Sequence, residues 1–149
     1  MMNSFVKNKL KLQAFLPYRL SVLSNRISRA IADRYEEQFQ ISLPEWRVVA
    51  VLGDTPDISA GSVAQKTAMD KVAVSRAVNK LLESGLLIRK MSNEDKRRSI
   101  LSLSEKGAEI YGQVAPLAID YENKLLEQLS DEDRTQLEDL LNKLEKIEL

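Results

Sequence analysis

Residues 92–104 read SNEDKRRSILSLS, and within them Lys96, Arg97 and Arg98 stand in a row. Three adjacent cations repel one another unless an anion offsets their closeness, and phosphate carries both the charge and the acceptor oxygens to do so. A second group has matching chemistry. Along TAMDKVAVSRAVNKLLESG (67–85), Val74, Ala77, Val78 and Leu81 recur at i, i+3, i+4 and i+7, so on a helix they share the core face. That phase turns Lys71, Ser75, Arg76, Asn79 and Lys80 outward. Arginine can grip guanine O6 and N7 with two hydrogen bonds, asparagine can do the same to adenine, and lysine and serine hold phosphates. Together the two groups make a candidate surface for double-stranded DNA. Asp95, two residues before Arg97, is placed to accept a hydrogen bond from its guanidinium and hold it extended, which lowers the rotamer entropy lost on insertion into a groove.

These side chains work only if the flanking elements aim them. Ser59 is a cap for a short helix over 60–66, and Asp70 caps the next, which closes at Ser84 and Gly85. Two helices joined by a three-residue turn make a helix-turn-helix, whose second helix enters the major groove. LLIRKMS and SILSLS then flank the polar NEDKRR and predict a hairpin, with Leu101 and Leu103 on one face. A hairpin with a basic tip directly after a helix-turn-helix is a wing, and its tip lies at the minor groove, where negative potential attracts arginine.

Further out, Pro17 opens a helix running to about Glu37, with Leu20, Leu23, Ile27 and Ile31 as its apolar stripe. Ser42 and Glu45 have capping-box spacing for a helix ending near Gly53. A long helix starts at Ser104 and should kink at Pro116. Ser130 and Asp133 cap a last helix whose Leu137, Leu140, Leu141 and Leu144, with Ile147, form a broad apolar face. The fold class is therefore mainly α with a small β-hairpin wing.

The 149 residues suit one domain, and net charge is zero. The charge is unevenly spread: 61–100 carries nine cations against four acids, whereas 120–149 carries ten acids against four cations. The absence of cysteine and histidine removes thiolate chemistry, the commonest metal ligand and the commonest general base. No paired carboxylates, nucleophile motif or phosphate-cradling loop replaces them, so the reading is no catalytic site, no metal and no cofactor. The longest apolar run, 48–52, falls far short of the roughly 20 residues that span a bilayer, which predicts a cytoplasmic protein without a membrane partner.

SLPEWRVVAVL (42–52), TAMDKVAVSRAVNKLLESGLLIR (67–89) and EDKRRSILSLSEKG (94–107) resemble the corresponding blocks of MarR-type (multiple antibiotic resistance) regulators. Ser104, where threonine is more usual, is a small departure. The resemblance implies a homodimeric winged helix-turn-helix regulator of transcription, commonly a repressor on a pseudo-palindromic operator, released by a small ligand; without cysteine or histidine that leaves an organic ligand, or none. It carries over Ser75, Arg76 and Asn79 as groove-facing residues and Arg97 as the wing-tip arginine. It also implies an effector cleft, for which Tyr18, Trp46, Arg47 and Tyr111 are candidates. The organisation it suggests is one domain: 1–37 an N-terminal dimerisation helix, 42–103 the winged lobe, and 104–149 C-terminal dimerisation helices. Phe5, Leu10, Leu12, Phe15 and Leu16 at one end, and the leucine face at the other, supply more apolar surface than the central motif covers, which argues independently for a homodimer. The competing reading is a winged-helix adaptor that binds protein and has lost sequence-specific DNA contact.

Overall fold

A computed structural model describes residues 8–91 and 99–149. The chain divides into two compact units, Met1–Leu43 and Pro44–Leu149.

In the first unit a 3-10 turn, Leu12–Ala14, precedes helix α1, Leu16–Phe39, which carries Pro17 in its first turn, where the missing N–H costs nothing. Gln40 ends α1 in the left-handed conformation (φ 55°), and its side-chain amide donates to the Glu37 carbonyl at 2.9 Å. The stripe expected from the sequence is only half covered: Ile27 and Ile31 are half-buried, while Leu20 and Leu23 are exposed. The fully buried residues of α1 are Ala32 and Tyr35 instead. Arg29 pairs with Glu36 at 2.5 Å and Asp33 at 3.4 Å, and the hydrogen bond from Arg29 holds the Glu36 carboxyl below its usual range.

The second unit holds helix α2 (Leu43–Asp54) from its second residue on, α3 (Ala60–Thr67), α4 (Lys71–Glu83), strands β1 (Leu87–Met91) and β2 (Ser99–Leu103), and helices α5 (Glu105–Leu126) and α6 (Asp131–Glu145). Its core gathers Val48, Val49 and Leu52 of α2, Val63 of α3, the Val74–Leu81 face of α4, and Leu101 and Val114. Each fully buried valine or leucine stabilises the fold by about 1.5–3 kcal/mol. Four caps follow the local rules: Ser59 accepts from the Ser62 amide, Asp70 from Ala73, Ser104 from Gly107 and Ser130 from Asp133, at 2.8–3.1 Å. Glu45, the capping-box partner that the sequence pairs with Ser42, stands in the first turn of α2 and is buried at 6% exposure. Helix α5 runs unbroken past Pro116.

How α4 ends decides where the wing begins. Gly85 adopts φ 78°, its amide donates to Leu82 and the Leu86 amide to Leu81, the paired bonds of a Schellman closure. Leu86 and Leu81, the two ends of that closure, are both buried. The chain then enters β1, which pairs antiparallel with β2 from Leu87↔Leu103 to Met91↔Ser99. A bridge from Ile58 to Leu101 adds a third, one-residue rung. Beside it the Ser102 hydroxyl donates to the carboxylate of Asp57, a residue at φ 60°, a region aspartate tolerates better than most residues. Ser102 is buried at 8% exposure, so losing its partner would strand a hydroxyl. Asp57→Ala is expected to lower stability by about 2 kcal/mol in thermal unfolding, and Asp57→Asn, which keeps an acceptor and tolerates the left-handed conformation, to recover most of it.

Candidate nucleic-acid interface

Helix α4 sorts its side chains cleanly between two faces. Val74, Ala77, Val78 and Leu81 are buried, at 0–5% exposure, while Lys71, Ser75, Arg76, Asn79 and Lys80 are all exposed. The buried face fixes the helix's rotation, so the outward chemistry is set by the core and not by the polar residues themselves. Asp70 anchors the first turn and the glycine closure anchors the last. The five polar side chains therefore project from a rigid support, which limits the entropy lost when they meet a ligand.

The far side of the wing is braced by the start of α5. Ser104 Oγ donates to the Gly85 carbonyl at 2.6 Å and accepts from the Gly107 amide at 3.0 Å, while its own amide donates to Leu86. Lys106 Nζ adds a bond to the Ser84 carbonyl at 3.3 Å. One serine thus joins the end of α4, the entry to β1 and the first turn of α5. Arg89 and Lys90 stand exposed on β1, extending the basic surface from the helix onto the hairpin. Asp95, Lys96, Arg97 and Arg98, the expected wing-tip group, lie outside the described residues, as does Phe5.

Between α3, α4 and β1 lies a cavity of about 320 Å³. Ala60, Gly61, Ala64, Val74 and Val78 form its apolar part, and Lys71, Ser75, Asn79 and Arg89 its polar rim. Its existence follows from the small residues at 60, 61 and 64, which leave room that larger side chains would fill. Their spacing along α3 was a visible signal, but it gained meaning only once α4 and Arg89 were placed beside it.

Of the effector-cleft candidates, Trp46, Arg47 and Tyr111 lie in the second unit and Tyr18 in the first. Trp46 and Tyr111 stack with ring centroids 6.0 Å apart and planes at 26°. Tyr111 lies so close to α2 that a Cβ at Gly53 would fall 2.3 Å from its ring, so the absence of a side chain at Gly53 admits the pair. This is helix-to-helix packing, worth about 0.5–1.5 kcal/mol beyond buried area. Arg47 is half-buried on α2, and Tyr18 is exposed on α1 in the other unit. Among the described residues no group of acidic, histidine or cysteine side chains is placed to hold a metal ion, and no helix is long and apolar enough to cross a membrane.

Two capped helices at the heart of the lobe, an exposed polar face on the second, and a hairpin braced behind it define a winged helix-turn-helix. The sequence profile of the MarR family matches residues 39–98. HTH-type transcriptional regulator BilQ of Clostridium symbiosum (strain WAL-14163) is 34% identical over 106 residues, which cover 71% of this chain and 74% of BilQ. The crystal structure of a MarR/EmrR family transcriptional regulator from Acinetobacter sp. ADP1 superposes with a TM-score of 0.81 at 32% identity, over 91% of this chain and 96% of that one. MepR of S. aureus, solved in complex with DNA, shares the fold at a TM-score of 0.75 and 22% identity, over 87% and 96% of the two chains. The chain belongs to the MarR family of winged helix-turn-helix transcriptional regulators, which are DNA-binding proteins and not enzymes.

Proposed function

We propose that this protein is a homodimeric repressor that binds a pseudo-palindromic operator sequence-specifically and is released by a small organic ligand. The observation that carries the reading is the exposed face of α4, where Arg76 and Asn79 stand among Lys71, Ser75 and Lys80 on a helix whose opposite face is fully buried. Arg76 and Asn79 supply the base-reading chemistry, and Lys71, Ser75 and Lys80 the phosphate contacts. Asp95, Lys96, Arg97 and Arg98 complete the surface at the wing tip, with Arg97 entering the minor groove. MepR's complex with DNA is consistent with the same use of the shared fold.

Homodimerisation is supported by apolar side chains left uncovered on the terminal helices. Leu16, Leu20 and Leu23 on α1, and Leu137, Leu140, Leu141 and Leu144 on α6, are all 41–58% exposed. On this reading 1–37 and 104–149 form the dimer and 42–103 reads DNA. Twofold symmetry would then set the recognition helices about 34–36 Å apart, one turn of the duplex, which is why the operator should be palindromic. Release by a ligand is supported by the 320 Å³ cavity: an organic anion seated there would engage Lys71, Ser75 and Asn79, which DNA also needs. Trp46, Arg47 and Tyr111 are the alternative lining, and Tyr18 on α1 is a separate candidate.

The test is selection of bound duplexes from a random library by the purified protein, followed by anisotropy on the enriched duplex across salt concentrations. A palindromic consensus is expected, with affinity falling on the order of 10³-fold between 50 and 200 mM salt if six phosphates are neutralised. No enrichment, or affinity indifferent to salt, would overturn the reading and favour a protein partner for the basic surface.

A further inference from the structure

One exposed residue of α4 fits neither its core face nor its polar face. Val72 is 60% exposed, against 2% for Val74, and among the described residues of α3 and α4 it is the single large apolar side chain so placed. Valine is a middling helix former, and the core face of α4 is complete without it, so folding has no use for an apolar group here. A lone exposed valine elsewhere would carry no message. This one lies in the first turn of the recognition helix, the part that meets base edges when such a helix docks in the major groove. It also shares one stripe with Ser75, Arg76 and Asn79, at i, i+3, i+4 and i+7, all exposed.

The major groove offers one apolar group on an unmodified base, the C5-methyl of thymine, and small apolar side chains recognise it by contact. Resting on the sequence-specific DNA-binding reading above, we infer that Val72 reads a thymine methyl in each operator half-site. Geometry also places that thymine. Val72 and Arg76 are one turn apart, about 6 Å along the helix at ~1.5 Å per residue. Bases stack about 3.4 Å apart. The thymine therefore lies within about two steps of the base pair that Arg76 contacts. Val72 and Arg76 form a paired reader, one by shape and one by hydrogen bonds.

The experiment replaces each thymine of the enriched duplex by deoxyuridine, symmetrically in both half-sites, which removes the methyl and leaves every hydrogen-bonding group in place. Binding is measured by anisotropy for the wild-type protein and for Val72→Ala, which is exposed and favours the helix, so it folds. At one thymine position the wild type is expected to lose about fourfold per half-site, the worth of one buried methyl, or about sixteenfold for the dimer. Val72→Ala, with a smaller apolar surface, should show a clearly reduced preference for thymine over uracil at that position. A wild type that selects the duplex yet ignores every replacement would overturn the inference and leave the regulator intact, and so would a Val72→Ala protein that prefers thymine as strongly as the wild type. Failure to enrich any duplex is the separate result that would overturn the sequence-specific reading and this inference with it.

Discussion

Arg76→Ala is expected to weaken binding to the enriched operator by roughly 5- to 150-fold per half-site, about 1–3 kcal/mol, and to relax selection at one base position in each. The reason is geometric. Arg76 stands on the exposed face of a helix whose rotation is fixed by Val74, Ala77, Val78 and Leu81, so its guanidinium meets the groove in one orientation. A residue that only held phosphate would behave otherwise: its loss would weaken all sequences uniformly and reduce the salt slope by about one. Repeating the library selection with the variant separates the two. A consensus unchanged at every position, with affinity reduced across all duplexes, would demote Arg76 from base reader to phosphate contact. Alanine at an exposed helical site leaves the fold intact, so the comparison is of binding alone.

The largest expected loss of stability comes from a residue with no functional group. A Cβ built at Gly107 would lie 2.0 Å from the Leu86 carbonyl oxygen, 3.1 Å from its carbon and 3.4 Å from Leu103 Cβ. The obstacle is backbone, which cannot rotate away. That carbonyl is also the acceptor for the Ser104 amide, so displacing it would disturb the junction that joins α4, β1 and α5. Gly107→Ala is therefore expected to cost about 3 kcal/mol and to lower the Tm by roughly 6–12 °C for a chain of this size. Gly112, in the same helix, meets nothing within 4 Å, so Gly112→Ala should raise stability by about 0.5–1 kcal/mol through helix propensity. Thermal unfolding of the two variants side by side is a sharp test, because propensity alone predicts that both stabilise. A Gly107→Ala protein as stable as the wild type would show that α5 can shift off Leu86 without penalty. The same substitution should also weaken operator binding, since moving α5 moves the hairpin that it braces.

What was legible in the sequence is what a few neighbouring residues decide. Ser59, Asp70 and Ser130 cap because each presents an acceptor to an amide three residues on, a bond that needs nothing from the rest of the chain. Gly85 closes α4 because a left-handed residue is needed there and glycine adopts it freely. The two faces of α4 could be read from periodicity, since one buried stripe fixes the whole rotation. Only the tertiary structure decided the rest. Asp57 and Ser102 are 45 positions apart, and no spacing rule links them. Leu20 and Leu23 share a helical stripe with Ile27 and Ile31 yet stand exposed, because burial depends on what packs opposite. That the core face of α4 is complete without Val72 shows only in the fold. Nor does any spacing rule bring the Leu86 carbonyl against Gly107. Local hydrogen bonds and periodicity are properties of a segment, whereas a close approach or an uncovered side chain is a property of two segments meeting, and only the folded chain specifies that meeting.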